Sequence, residues 1–367
     1  MCAFLLLEAL KALENSESTM KISFTRVFLK KRYPLTISRG TSYGTENLFV
    51  RVNYLGQTGL GELAGTPNNI GESCESGIAE LEPFCASIDD ESIGIAEIWA
   101  KARQAGVQSR ALAALDMALW DALGKASGQP LWRLFGLRRE AVATSITVGI
   151  NPAEVTRERV PEMLARTGAK YLKVKLGSPQ GLEVDKAHFM AALESSRPFH
   201  SIIRVDANGG WSVADALHMQ DWLAERGVDY IEQPLVKGAE DALPELFKKR
   251  RLPIFVDESC WFASDVPKLA DRVDGVNLKL MKCGGLTEAL RIVAVARAFG
   301  LKTMIGCMGE SNVAISAGAS IGALFDHIDL DSQLNLVDDP TTGAVLTDGV
   351  VLPNFKPGHG AELAISN

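Results

Sequence analysis

Three acidic residues recur in the middle of the chain, each at the end of a short run of β-branched and apolar residues. They are Asp206 in SIIRVDAN, Glu232 in VDYIEQPL and Asp257 in PIFVDES. Successive acids are separated by about one strand and helix unit, so the carboxylates are predicted to converge at the ends of neighbouring parallel strands. Oxygen ligands without His or Cys favour Mg²⁺ over zinc. The pattern predicts a magnesium site, and a cap on the following helix is the alternative for any one acid.

Two lysine-bearing runs flank these acids in the sequence. In YLKVKLG, strand alternation places Lys173 and Lys175 on one face, and in GVNLKLMK it places Lys279 on the face that Asn277 shares. A lysine acts as a base when a nearby cation lowers its pKa toward neutrality. We therefore predict that Lys175 and Lys279 face each other as an acid/base pair, with Lys173 beside Lys175. The alternatives are a salt bridge from Lys279 to Asp257 and a structural pairing of Lys173.

Eight β-branched runs that alternate with helical stretches must position these side chains. They are ATSITVGI, YLKVKLG, SIIRVDAN, VDYIEQPL, PIFVDES, GVNLKLMK, KTMIGCM and HIDLDS. Strands of a parallel barrel are buried on both faces, so a charged residue within one needs a partner or a function. Lys173 and Lys175 share one parity, and so do Arg204 and Asp206. We expect these charged residues, with the acids and the lysine of the later runs, to point into the bore of a (β/α) barrel. They should meet at the carboxyl ends of the strands, where barrel active sites lie.

The remaining segments suggest a second domain. Strand-like alternation followed by an alanine-rich helical stretch predicts an α+β domain over residues 20–137. The barrel is expected over residues 138–338. A Pro- and Gly-rich segment over residues 339–367 is expected to return to the α+β domain, and residues 1–19 are interpreted as a dispensable extension.

Composition and charge exclude several classes of function. The 367 residues include 38 basic and 45 acidic side chains, so the chain lacks the basic excess that nucleic-acid binding requires. No stretch approaches the roughly 18 apolar residues of a transmembrane helix. The six cysteines show no C-x-x-C or zinc spacing, which favours reduced thiols in a cytoplasmic protein. Chemistry on a small molecule is the remaining interpretation.

Together these motifs resemble those of the enolase superfamily, in particular its muconate lactonizing enzyme subgroup. The matching motifs are KVK, VDAN, IEQP, VDES, NLKLMKCGG and CMGES, the last of which contributes Glu310. The resemblance extends from about Met20 over nearly the whole chain. It implies a modified (β/α)7β barrel with an α+β capping domain, a Mg²⁺ cofactor, and removal of the α-proton of a carboxylate substrate to give an enediolate. The metal would neutralise charge that develops on the substrate carboxylate.

The run HIDLDSQL narrows the expected substrate. Asp329 and Asp331 share one strand face with Leu330 opposite, so two carboxylates project into the site and can bind an ammonium group. The pair is similar to the D-x-D of dipeptide epimerases, which holds the amino terminus of the dipeptide. The resemblance thus implies an epimerase that inverts the α-carbon of the C-terminal residue, with one lysine removing the proton and the other returning it on the opposite face. A helix cap plus a surface acid is the alternative.

Two further residues are candidates for substrate binding. Family members that act on Ala-Glu carry an arginine in a capping-domain loop, whereas LTISRGTSYG places Gly40 there and Arg39 one position earlier. Several C-terminal side chains are therefore expected, not Glu alone. Glu310 is expected either to orient a lysine or the substrate through hydrogen bonds or to be a buried structural residue.

Other functions compete with this interpretation. Within the subgroup, o-succinylbenzoate synthase, N-succinylamino acid racemase and muconate cycloisomerase take anionic substrates, which an aspartate pair disfavours. A sugar-acid dehydratase of the mandelate racemase type would need a His base late in the barrel, and none of the five histidines is an obvious candidate. A non-catalytic binding protein would not need both lysines and all three acids. The expected partners are a dipeptide and further copies of the chain, as a homo-oligomer.

Overall fold

Among the described residues, an antiparallel sheet and four helices make up the capping domain. The computed structural model describes residues 20–65, 72–89 and 93–364, so the predicted extension over residues 1–19 lies outside the described part. The sheet has the order β1-β2-β3 and consists of β1 (Ile22–Ile37), β2 (Gly40–Tyr54) and β3 (Gln57–Ala64). The helices are α1 (Cys74–Ala86), α2 (Ile95–Gln104), α3 (Ser109–Ala126) and α4 (Leu131–Leu134).

Glycines let α3 pack directly on β3. A Cβ on Gly59 would lie 1.8 Å from the carbonyl oxygen of Ala118, and one on Gly61 would lie 1.9 Å from that of Ala114. Only glycine tolerates this close approach of a helix backbone to a strand. The packing buries the alanine-rich face of α3, which explains why that stretch of sequence is so rich in small residues.

Eight parallel strands form the barrel. In chain order they are β4 (Ser145–Val148), β5 (Tyr171–Lys175), β6 (Ile202–Asp206), β7 (Ile231–Glu232), β8 (Ile254–Val256), β9 (Gly275–Lys279), β10 (Lys302–Gly306) and β11 (His327–Asp329). Each strand pairs with the next along the chain, and a parallel bridge between Thr144 and Ile328 brings the first and last strands together. All eight strands lie within the eight predicted runs, so the predicted barrel with a capping domain is confirmed.

Helices connect the strands and cover the outside of the barrel. They are α5 (Ala153–Thr167), α6 (Leu182–Ser196), α7 (Val213–Ala224), α8 (Leu243–Lys249), α9 (Val266–Leu269), α10 (Leu280–Cys283), α11 (Leu286–Ala298) and α12 (Asn312–Ala319). The outward residues of the strands, such as Val174, Val205 and Ile231, are fully buried with these helices in one continuous core. Among the described helices, none is long and apolar enough to cross a membrane.

The inward residues form layers at different depths of the bore. Arg204 shares the inward parity of the site residues, but it lies lower in the barrel than the sequence argument assumed. Its guanidinium stacks 3.7 Å from the ring of Tyr171 and binds Asp229, which precedes β7. The rings of Tyr230 and Phe255 lie beside it in the same lower layer. Strand alternation therefore predicts which face a residue occupies, but it does not predict how far along the barrel axis the residue lies.

The C-terminal segment runs back to the capping domain. It contains the pairs β12 (Thr341–Thr342) with β15 (Glu362–Leu363), and β13 (Val345–Thr347) with β14 (Val350–Leu352). His359 is buried against the capping domain, and its Nε2 lies 2.7 Å from the carbonyl oxygen of Leu60 on β3. This contact ties the end of the described chain to the sheet of the capping domain.

Two buried carboxylates of the capping domain bind the amino ends of barrel helices. Glu62 on β3 accepts hydrogen bonds from the backbone N–H groups of Ser311 and Ala314 at 2.9 and 3.0 Å, at the start of α12. Asp116 on α3 accepts one from the N–H of Thr287, at 3.0 Å, at the start of α11. A carboxylate at a helix amino end satisfies N–H groups that the helix leaves unpaired and interacts favourably with the helix dipole. These bonds fix the capping domain over the carboxyl ends of β9 and β10.

Candidate active site

The three acids come together at the carboxyl ends of neighbouring strands. Asp206 ends β6, Glu232 ends β7 and Asp257 follows β8 directly, and all three side chains are buried. Their carboxylate oxygens lie within 4.8 Å of one another. Asp206 and Glu232 are directly opposite in the sheet register, which makes their proximity a consequence of strand pairing.

The electrostatics of this acidic triad fit a divalent cation. Burial and the charge of Asp206 raise the pKa of Glu232 to about 7. The ionised form of Glu232 is therefore disfavoured next to the other carboxylates. A cation bound among three carboxylate oxygens would remove that repulsion. Hard oxygen donors without nitrogen or sulfur form the set that Mg²⁺ prefers. The residues present therefore fit the magnesium site that the sequence predicts.

Lys175 and Lys279 lie on opposite sides of the bore. They end β5 and β9, which are four strands apart in either direction around the eight-stranded barrel. Lys175 Nζ donates to Asp206 Oδ2 at 2.6 Å, and Lys279 Nζ donates to Asp257 Oδ2 at 2.7 Å. Each lysine thus approaches the triad from its own side, and the alternative salt bridge of Lys279 is present.

The pKa of Lys279 is raised, whereas a lysine that acts as a base is expected to have a lowered pKa. Burial alone would lower it, but the carboxylates of Asp257 and Glu232 outweigh burial and raise the pKa above its usual value. The same ion pairs act on the acid: burial would raise the pKa of Asp257, and the ammonium groups of Lys279 and Lys282 hold it well below its usual range. A lowered lysine pKa therefore requires that Asp257 be engaged by another cation.

Two further buried lysines support the carboxylates. Lys173 lies 2.6 Å from Glu232 Oε2 and donates to Asp329 Oδ2 at 2.5 Å. Lys282 lies in α10 with its Nζ 2.6 Å from Asp257 Oδ1. It also donates to backbone carbonyls, including those of Cys260 and Asn277. Both ammonium groups compensate buried negative charge next to the triad.

Asp329 and Asp331 both line the cavity at the end of β11. Asp331 Oδ2 accepts a hydrogen bond from the backbone N–H of Thr147 at 2.7 Å, and the thiol of Cys307 lies 3.6 Å from Oδ1. Burial and the charge of Asp329 raise the pKa of Asp331 to about 7. Asp329 Oδ1 has no hydrogen-bond donor in the described part of the chain. Two close buried acids with an uncommitted oxygen form a site that favours a cationic group.

Arg39 contacts the barrel across the cavity mouth. Its guanidinium donates to the carbonyl oxygen of Asn208 at 2.7 Å and to Glu258 Oε1 at 2.6 Å. Ser38 Oγ also donates to the carbonyl of Asn208, at 2.9 Å. Arg39 is therefore engaged with two barrel loops, while Gly40 beside it lines the cavity and leaves open space where a side chain would extend.

Glu310 is buried and lies between the domains. Its Oε1 accepts a hydrogen bond from the backbone N–H of Met308 at 2.9 Å, and burial raises its pKa to about 8. Its backbone is bonded to Ser332 on the next loop. The contacts hold the loop after β10 in place. Among the described residues, no hydrogen bond joins Glu310 to Lys175 or Lys279, which we call the two end lysines.

These side chains surround one cavity of about 690 Å³ between the capping domain and the barrel. Much of its lining is apolar and comes from both domains. The apolar side chains include Leu35, Ile37, Ile146, Met163, Trp261, Met308 and Leu336. The sequence argument missed Lys31 and Ser42, because alternation along a strand does not tell which face of the capping sheet covers the barrel. It also missed Trp261, which lies in the loop after β8 and outside the alternating runs.

Comparison with known families agrees with this geometry. Residues 20–136 match the model of the mandelate racemase / muconate lactonizing enzyme N-terminal domain, and residues 155–366 match that of the enolase C-terminal domain-like family. The chain therefore belongs to the enolase superfamily, in its mandelate racemase and muconate lactonizing enzyme branch. The family predicted from the motifs is confirmed, and the protein is an enzyme of the isomerase class, as its epimerase relatives are.

Individual relatives are similar over almost their full length. The hydrophobic dipeptide epimerase of Roseobacter litoralis is 59% identical over 94% of this chain and 99% of its own. A dipeptide epimerase from Enterococcus faecalis, solved with Mg and L-Leu-L-Tyr, is 29% identical and superposes with a TM-score of 0.84 over 94% of this chain and 99% of its own. One from Methylococcus capsulatus, solved with Mg and L-Arg-D-Lys, is 30% identical with a TM-score of 0.83 over 94% of this chain and 99% of its own.

Proposed function

We propose that this enzyme is a Mg²⁺-dependent epimerase of apolar dipeptides, which inverts the α-carbon of the C-terminal residue. The observation that carries the proposal is that one cavity contains two sites, one suited to a negatively charged group and the other to a positively charged group. An acidic triad suited to a metal and hence to a carboxylate lies at β6 to β8, and an acid pair suited to an ammonium group lies at β11. A free dipeptide has both groups, one at each end.

The two end lysines are suited to proton transfer at the carbon between these sites. With the substrate carboxylate at the triad and its ammonium group at Asp329 and Asp331, the C-terminal α-carbon lies between β5 and β9. Lys175 would then exchange a proton on one face and Lys279 on the other. A bound Mg²⁺ would supply positive charge that stabilises the developing enediolate. It would also replace lysine at Asp206 and Asp257, which frees both ammonium groups to lose a proton.

An apolar C-terminal residue fits the cavity better than glutamate. Gly40 provides open space and no cation at the position where the resemblance places a glutamate-binding arginine. Arg39 is already paired with Glu258 and with the carbonyl oxygen of Asn208. Trp261 and Ile37 offer apolar surface nearby. The name of the 59% identical relative, a hydrophobic dipeptide epimerase, supports the same substrate class.

The anionic substrates of related enzymes are disfavoured at β11. A succinyl group or a second carboxylate there would meet Asp329 and Asp331, and like charges in a buried site repel strongly. The structures that superpose on this chain include an N-succinyl Arg/Lys racemase from Bacillus cereus, so the fold alone does not discriminate. The pair of Asp329 and Asp331 is therefore the feature that favours a dipeptide over these anionic substrates.

The test is a substrate screen with the Mg²⁺-loaded enzyme in D₂O. A library of L,L-dipeptides with apolar, acidic and basic residues is scored by mass spectrometry for gain of one deuteron. We expect exchange with several apolar C-terminal residues and little with glutamate. Turnover of N-succinyl amino acids or of a cyclohexadiene carboxylate, with no exchange in any dipeptide, would show that the proposal is wrong.

A further inference from the structure

Lys31 on β1 is a cavity-lining cation without a carboxylate within 4 Å in the described part of the chain. Its Nζ donates to Ser42 Oγ at 3.0 Å and lies 3.4 Å from the point where a Cβ on Gly309 would stand. Burial lowers the pKa of Lys31 to about 8, and only the thiol of Cys307 acts against that shift. This ammonium has lost hydration and has gained one neutral hydrogen bond in return.

The other cations around the cavity are compensated. Arg39 pairs with Glu258, Arg166 with Glu162, Lys175 with Asp206, and both Lys279 and Lys282 with Asp257. Arg110 is influenced by the charges of Glu72 and Glu310 and donates to the carbonyl oxygen of Ala64. Lys31 is thus a cavity cation whose one described hydrogen-bond acceptor is neutral, which leaves N–H groups for a ligand.

Lys31 lies on the side of the cavity that is closer to the acid pair than to the triad. Gly309 and Cys307 follow β10, which lies between β9 and β11 in the barrel. The Cys307 thiol is 3.6 Å from Asp331 Oδ1 and 3.2 Å from the carbonyl oxygen of Asp329. Lys31 therefore lies near the strand between Lys279 on β9 and the acid pair on β11.

The polar groups of an apolar dipeptide identify what this ammonium can bind. The substrate ammonium belongs at Asp329 and Asp331 and would be repelled by Lys31, and the carboxylate belongs at the triad across the bore. The peptide N–H is a donor and cannot accept a hydrogen bond. The peptide carbonyl oxygen is the remaining acceptor. Resting on the function proposed above, we infer that Lys31 donates a hydrogen bond to the peptide carbonyl of the substrate and fixes the α-carbon between the two end lysines.

The test combines an enzyme variant with a substrate variant. Initial rates of wild type, Lys31→Met and Lys31→Arg are measured with Mg²⁺ on L-Leu-L-Phe and on its thioamide analogue, whose sulfur is a poorer acceptor. Lys30→Met is the matched control, because Lys30 precedes Lys31 on β1 and is exposed. Loss of a charged hydrogen bond should reduce kcat/KM of Lys31→Met about 10- to 100-fold on the ordinary peptide.

The substrate comparison isolates the contact from a general loss of structure. Wild type should discriminate against the thioamide, Lys31→Met should lose most of that discrimination, and Lys31→Arg should keep it. Unchanged discrimination in Lys31→Met would overturn the inference. Wild-type enzyme that turns over no dipeptide would overturn the proposed function as well, and that failure is visible without any variant.

Discussion

Lys173 Nζ and Asp329 Oδ2 lie 2.5 Å apart, and both side chains are buried. The same ammonium is 2.6 Å from Glu232 Oε2, so one lysine joins the acidic triad to the acid pair. Burial would lower the pKa of Lys173, but Asp329 and Glu232 outweigh burial and raise it. Lys173 therefore remains a cation, which pairs with the carboxylates on both sides. One oxygen of Asp329 is committed to this lysine, which leaves the other oxygen and Asp331 for the substrate.

Replacing Asp331 with Asn should weaken recognition of the dipeptide ammonium group while sparing the contact between Lys173 and Asp329. Removing one partner of a desolvated charge pair leaves the other charge uncompensated, so kcat/KM should fall by about 10² or more. The measurement compares a free dipeptide with its N-acetyl derivative. Wild type should strongly prefer the free peptide and Asp331→Asn should not. Equal preference in both enzymes would mean that Asp331 does not bind the ammonium group.

The pH dependence of kcat/KM should follow the ionisation of Asp331. Its pKa is raised to about 7, so the carboxylate is ionised above that pH and protonated below it. Because the contact needs an ionised carboxylate and a protonated substrate amine, kcat/KM should rise with pH up to about 7 and fall again above about 8. Mg²⁺ is kept saturating so that Glu232 stays ionised throughout. The acidic limb should disappear in Asp331→Asn, and a limb that persists there would assign the titration to another group.

Replacing Glu232 with Gln should weaken Mg²⁺ binding. Residues that only support metal ligands typically contribute 10- to 100-fold in affinity, so loss of a direct carboxylate ligand should cost at least about 100-fold. Isothermal titration calorimetry of Mg²⁺ on the apo enzyme measures this directly, and EDTA should abolish wild-type activity. Glu245→Gln on the exposed face of α8 is the control. Full Mg²⁺ affinity in Glu232→Gln would place the metal elsewhere.

Replacing Arg39 with Met should raise KM and leave kcat nearly unchanged. Arg39 joins the loop after β1 to Asn208 and Glu258, but its side chain is 54% exposed, so the ion pair contributes at most about 1 kcal/mol. A rise in KM of roughly fivefold, equal for all dipeptides, is expected. A selective loss for dipeptides that end in glutamate would instead assign Arg39 to substrate binding, the role that the sequence suggested.

The sequence predicts the barrel well because its signal is local. Alternation places Asp206, Glu232 and Lys279 on inward faces, and strand order then brings them to one end of the bore. Contacts that depend on how the capping domain lies over the barrel carry no such signal. Nothing in FLKKRYP tells which of three consecutive basic residues enters the cavity. Depth along a strand is equally hidden, which is why Arg204 was expected among the site charges and lies below them.

The central claim is that Lys175 and Lys279 exchange protons on opposite faces of one α-carbon. The measurement follows deuterium uptake from D₂O into separate L,L and L,D epimers of an apolar dipeptide by Lys175→Ala and Lys279→Ala, with Lys249→Ala on exposed α8 as the control. Both site variants should lose epimerisation, because the second proton transfer has no donor. Each should still exchange the α-proton of one epimer, and the two variants should exchange opposite epimers. A variant that still interconverts both epimers, or two variants that exchange the same epimer, would contradict the two-lysine account.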